Sequence, residues 1–159
     1  MRKLKSDAMA SVMFSHRLSS ILSPMNTDVA AQKALDRLAE AGFEKLTESD
    51  KILASIWTFE AGVANRGFAS YFSSSAGNMA FFVPTALKTI GAAGMAQIAA
   101  SANEVLGADG PPRDQKKRRQ LVRAFSNATR KTLTTLESQF YDSPEDVDDL
   151  LELFLDMKR

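Results

Sequence analysis

The chain has 159 residues, 45% of them apolar and 25% charged, which suits one domain with a substantial core and argues against disorder throughout. It has no cysteine and one histidine, so disulfides, thiol nucleophiles, thiolate metal sites and a multi-histidine zinc site are excluded. The net charge of +1 conceals a nearly uncharged centre, a basic stretch at 113–131 and an acidic stretch at 137–157, so it does not say which surface meets which partner.

Apolar residues recur at helical spacing almost everywhere. Residues 6–22 predict a first helix with Ala8, Met9, Val12 and Met13 on one face, ended by Ser23-Pro24 because the residue before proline avoids helical angles. A second helix runs from Thr27 as cap through Leu35 and Leu38 to Gly42. Thr47-Glu-Ser-Asp50 is like a capping box and opens a third helix to about Ala64. Asn65-Arg66-Gly67 breaks the chain, and a short aromatic helix over 67–75 stops at Gly77. Pro84 suits the first turn of the next helix, which Gly91 ends; another covers 92–106. Gly107 to Pro112 is a loop and the candidate hinge. One long helix is predicted over 113–138, with Leu121, Phe125, Ala128, Thr132 and Leu136 on one stripe and Lys116, Arg119, Arg123 and Arg130 opposite. The last helix takes Ser143 as cap and Pro144 in its first turn, then buries Val147, Leu150, Leu151, Phe154 and Leu155. The fold is therefore expected to be all-α, a single compact bundle of about seven helices with an aromatic-rich core centred on 52–106. Residues 1–25 are expected to form a basic helix or extension and 26–159 the domain.

The apolar run after Arg2, Lys3 and Lys5 is broken by Asp7, Ser11 and His16, which is unlike a secretory signal. The most apolar stretch, Met79 to Ala100, contains Pro84, Lys88, Gly91 and Gly94 and lacks the length to span a bilayer. The expected location is cytoplasmic, without a membrane partner.

Few side chains offer chemistry. Glu60 lies in the apolar stripe of Ile52, Leu53, Ile56 and Val63, where a carboxylate must find donors or be held protonated. It reads first as a structural carboxylate accepting backbone N–H groups of the next turn, and alternatively as the acid of a ligand pocket. Asn65 and Gly67 bracket a helix break, with Asn65 suited to left-handed angles and to capping; the alternative is an anion-binding nest beside Arg66. The Gly-Lys-Ser/Thr ending of a phosphate-binding loop is missing. Trp57, Phe59, Phe68, Tyr71, Phe72, Phe81 and Phe82 are expected to be mostly core, with some lining a groove for a partner. Ser73, Ser74 and Ser75 have no histidine or lysine beside them and read as helix-end caps. His16 reads as a packing-edge residue. No metal ligands or cofactor site emerge.

The stretch from Phe59 to Asn78 resembles a bacterial family of all-helical domains of unknown function named after a DNA-mimic protein. Glu60, Asn65, Gly67, Phe68, Tyr71, Phe72, Ser75, Gly77 and the later Ile90-Gly91-Ala92 match its pattern, and Phe140-Tyr141 matches its later region. Arg66, Ser74 and Asn78 stand where the pattern has glycine, asparagine and aspartate. The resemblance spans about 47–155 and implies the helical fold. A mimic of nucleic acid needs a broadly acidic surface, which a chain at +1 does not offer, so mimicry is not carried over.

The function expected is that of a non-enzymatic protein-binding or regulatory domain. Its candidate partner pocket is Trp57, Glu60, Asn65, Arg66, Gly67, Phe68, Tyr71 and Phe72. Its candidate acidic surface is Glu145, Asp146, Asp148, Asp149 and Glu152. The first alternative is nucleic-acid binding through the basic helix 113–131, on Lys116, Arg119, Arg123 and Arg130, although no aromatics interleave with that stripe. The second is a small-ligand or enzyme site around Glu60. Self-pairing of the basic and acidic helices, within the chain or in a homodimer, is a further expectation.

Overall fold

A computed structural model describes residues 27–158. The predicted helix over 6–22, His16 and the domain boundary at 25/26 lie outside the described residues.

The longest element, Glu48–Ser73, supplies the largest share of the buried core, and most of the others pack around it. Helix α1 covers Thr27–Ala41, and α2 covers Glu48–Ser73. Short 3-10 turns follow each, at Phe43–Lys45 and Ser75–Met79. Then come α3 (Val83–Thr89), α4 (Ala93–Glu104), α5 (Gln115–Arg123), α6 (Asn127–Asp142) and α7 (Val147–Met157). Helix α2 touches α1, α3, α5 and α6, while α4 bridges α3 and α6, and α7 rests on α1. All seven helices of the described residues share one hydrophobic core. The all-helical expectation holds, and so does a core centred on 52–106.

Helix α2 starts where the sequence indicates. The Thr47 hydroxyl accepts the Asp50 N–H at 3.1 Å. The second half of a capping box does not form. The Asp50 carboxylate instead takes two bonds from Arg37 Nη1 at 2.8 and 2.9 Å, tying α1 to α2. At Gly67 the backbone turns to φ 84°, ψ 176°, and α2 kinks there. That angle is strained for a residue with a Cβ, so glycine suits it. Asn65 was expected to take the left-handed angle; it does not, and Gly67 alone absorbs the break. The aromatic half-helix ends at Ser73, so Gly77 lies inside the following 3-10 turn instead of stopping the helix.

Two helix boundaries depart from expectation. The predicted helix over 113–138 is two helices, interrupted at Ala124-Phe125-Ser126. Ser126 caps the second, accepting the Thr129 N–H at 3.1 Å, and serine competes well for that role against continuing a helix. The buried face also lies about one residue from the predicted stripe, on both sides of the interruption. Leu121, Ala128 and Thr132 of the predicted apolar stripe are exposed, while Val122, Leu133, Leu136 and Phe140 are buried. The last helix starts at Val147, four residues after the predicted Ser143 cap. Ser143 precedes proline and is extended (ψ 130°), and Asp146 becomes the cap, accepting the Asp149 N–H at 3.0 Å.

Candidate functional site

The motif residues surround the kink of α2. Opening a helix there frees backbone groups that must be paired again. Helix α6 supplies both partners. Glu137 Oε1 accepts the buried Phe68 N–H at 2.9 Å, and the Tyr141 hydroxyl donates to the Ala64 carbonyl at 2.8 Å. One side chain thus caps the start of the second half of α2, and the other satisfies a carbonyl just before the break.

Phe68, Tyr71 and Phe72 point into the core. Phe59 meets Phe68, Tyr71 and Phe140 at ring-centroid distances of 6.1, 5.6 and 5.8 Å. Trp57 is half-buried, and Asn65 and Arg66 are exposed. The eight candidate pocket residues are therefore divided between core and surface and do not line one wall. Glu60 is buried, but Oε1 has no hydrogen-bond partner among the described residues. The capping role expected of it is performed by Glu137. Burial, with Asp148 and then Asp146 adding repulsion, pushes the Glu60 carboxyl well above the usual carboxylate range. The Tyr71 hydroxyl is likewise buried without a partner, and burial raises its pKa.

The deepest polar contact involves a residue the sequence places in a solvated basic run. Arg118 is fully buried. Its Nε donates to Phe72 O at 2.8 Å. Nη1 donates to the carbonyls of Pro112 and Arg113 at 2.8 and 2.7 Å. Nη2 donates to Ser74 O at 3.0 Å and to Asn78 Oδ1 at 2.5 Å. All five guanidinium N–H groups are used. Two of the acceptors are carbonyls at the C-terminal end of α2, where a helix presents unpaired acceptors and partial negative charge. Gly77 makes room: a Cβ there would stand 2.7 Å from Tyr71 O and 3.1 Å from Arg118 Nε. The same guanidinium fixes the end of the 107–112 loop, the candidate hinge, and Pro111 within it is buried.

Lys116, Arg119, Arg123 and Arg130 are exposed, but they divide between α5 and α6 and so do not form a stripe on one helix. Arg119 Nε donates to Ser73 O at 3.1 Å and Arg130 Nη2 to Val122 O at 3.2 Å. The candidate acidic surface is also partly structural. Glu145 bonds the N–H groups of Gly94 and Met95 at 3.0 and 2.6 Å, capping α4, and Asp146 caps α7. Asp148 and Glu152 are half-buried and Asp149 is exposed. Between described residues the ion pairs are Arg37–Asp50 and Arg113–Glu44, and neither joins the basic surface to the acidic one.

Together these features define a class: an all-helical domain organised on a kinked central helix, with α6 side chains pairing the groups freed at the kink and a buried arginine holding the helix end. A family model matches residues 44–158, described as DMP19-like protein, and the chain belongs to that family. No curated protein and no solved structure matches it. Among the described residues, no helix is long and apolar enough to cross a membrane and no acidic or histidine cluster is grouped to hold a metal ion.

Proposed function

We propose that this protein is a non-enzymatic, cytoplasmic binding or regulatory domain whose partner is another protein. One observation carries the reading. Arg118 anchors α5 rigidly to the end of α2 while its neighbours Lys116, Lys117, Arg119 and Arg123 stay exposed. A charged face on a fixed helix favours specific recognition, because the backbone that presents it need not be ordered on binding. The family resemblance to a DNA mimic supports a protein as target, and the balanced charge separates this chain from mimicry itself.

The test is capture of partners by the full chain, compared with two charge-reversed forms: Lys116→Glu/Arg119→Glu/Arg123→Glu, and Asp149→Lys/Glu152→Lys. A specific partner lost with one form and kept with the other supports the reading. Capture that ignores both reversals sinks it.

A second reading has its own support. Asn127, Arg130, Lys131, Thr134 and Thr135 line a shallow exposed concavity on α6, which suits phosphate oxygens of a nucleic acid. That binding would weaken steeply with salt, and Arg119→Ala with Arg130→Ala would flatten the slope. No mobility shift with DNA or RNA at low salt ends it.

A further inference from the structure

On the face of α2 where α1 and the two 3-10 turns meet lies a cavity of 540 Å³. Of the family motif only Ser75 and the departing position Asn78 reach its lining, and the residues at the kink do not. Its size falls in the range of small-molecule pockets. Leu35, Leu38, Phe43, Met79 and Phe81 give it apolar walls.

The polar side chains on the lining are the Thr58 and Ser75 hydroxyls and two groups that offer donors, Asn78 and Arg113. The Thr58 hydroxyl is already committed to the Ala54 carbonyl at 2.9 Å. Asn78 must turn its oxygen toward Arg118, because a guanidinium only donates. The Asn78 amide nitrogen therefore faces the other way, with two N–H groups and no partner among the described residues. The Arg113 guanidinium is stacked 3.9 Å from the Phe81 ring centroid. Its Nη1 meets Glu44, and its Nε and Nη2 have no partner among the described residues. Arg118 holds both groups in place, through Asn78 Oδ1 and through the Arg113 carbonyl at 2.7 Å. The mouth carries Arg113, Lys51 (5.0 Å from the Phe43 ring) and Glu44. Arg113 holds the Glu44 carboxyl below its usual range, so it stays ionised. Two cations and one anion leave a single positive charge.

We propose that this cavity binds a small amphipathic monocarboxylate. Its alkyl or aryl part fills the space between the leucines of α1 and the Phe81 ring, and its carboxylate takes N–H groups from Asn78 and Arg113. Apolar walls, uncommitted donors and one net positive charge select such a ligand over a neutral apolar molecule and over a phosphate dianion.

The probe is 3-phenylpropanoate, with 3-phenylpropanamide as its uncharged counterpart, followed by calorimetry and amide chemical shifts on the full chain. The carboxylate should bind at least about ten-fold more tightly than the amide, the worth of a hydrogen bond to a charged group. Shifts should centre on residues 76–81. Asn78→Asp keeps the bond to Arg118, so the protein should melt no lower than wild type, yet it replaces the donors with a negative charge and should abolish carboxylate binding. Arg113→Gln should erase the preference over the amide. Equal binding of the two probes, binding of neither, or full binding by Asn78→Asp overturns the proposal.

Discussion

Replacing Arg118 should cost more than replacing any other charged residue of the basic run. Truncation to methionine keeps much of the stem and removes five hydrogen bonds to Phe72, Ser74, Pro112, Arg113 and Asn78. Each acceptor left buried and unpaired costs about 1–3 kcal/mol. Some keep another partner, as Ser74 O does with the Gly77 N–H at 3.1 Å, and relief of the buried charge offsets part of the loss. Burial does act against the ionised form, lowering the Arg118 pKa. The balance is a loss of about 3–5 kcal/mol, or roughly 10–20 °C in Tm for a domain of this size. Arg118→Lys should fall between the two, since one ammonium has three donors and cannot span five acceptors. The assay is thermal and urea unfolding by circular dichroism, with Arg123→Met as the exposed control, expected to change stability by less than about 0.5 kcal/mol. If Arg118→Met melts within about 3 °C of wild type, the guanidinium does not hold the end of α2 and the reasoning fails.

Other outcomes follow from the kink and its surroundings. Gly67→Ala forces a Cβ to φ 84° and should cost about 1–2 kcal/mol, whereas Ala at exposed Gly94 needs only a small shift of the Glu145 carboxylate, 3.1 Å from the new Cβ; equal effects in urea melts would contradict this. Glu137→Leu should cost about 1–3 kcal/mol by orphaning the Phe68 N–H, and Glu137→Gln, which keeps an acceptor, should recover most of it; no recovery would mean that charge matters more than the bond. For Glu60 the sign is set by a folded-state pKa raised above the ordinary value of 4.5. The folded protein holds that proton more tightly, so the benefit is complete below about pH 4.5 and is lost as pH rises toward the raised value. Glu60→Gln should therefore match wild type near pH 4 and melt higher at pH 7.5. A Tm difference that does not grow between those pH values would show that Glu60 ionises without cost.

Much of the fold can be read along the chain because its signals are local. Thr47, Pro84, Gly91 and the Gly107–Pro112 punctuation mark boundaries the structure keeps. Gly67 was legible as a break because Asn65-Arg66-Gly67 punctuates the chain there. Over 113–138 the average period is helical, and Val122, Leu133 and Leu136 keep that spacing across the three-residue interruption at Ala124–Ser126, so the pattern does not reveal it. Ser143-Pro144 looks like a helix start, but Glu145 is drawn away to cap α4, and the start moves to Val147.

The site was less legible. Glu60 draws attention as a carboxylate on an apolar stripe. The same signal sits at Glu137, which shares a helix face with Leu133, Leu136 and Phe140, but there it is hidden in an acidic run. Arg118 is in phase with Val122, four residues on, and that spacing is the only local hint that one cation of eight turns inward. The cavity beside Asn78 has no local signal, because its walls come from α1, α2, two 3-10 turns, Phe81 and Arg113.

By itself the sequence determined the helical class, most helix ends, the aromatic core and the family pattern. These depend on residues within a turn or two of each other, where propensity, capping and glycine angles act. Only the tertiary structure decided which charges are surface and which are scaffold. Arg118, Glu137 and Glu145 look like solvated charges in the chain, and Asp50 like part of a helix cap. Each became structural because a helix end, a kink or a neighbouring helix offered it unpaired backbone groups or an opposite charge across at least 13 residues of sequence, and a buried polar group is stable only where such a partner is brought to it.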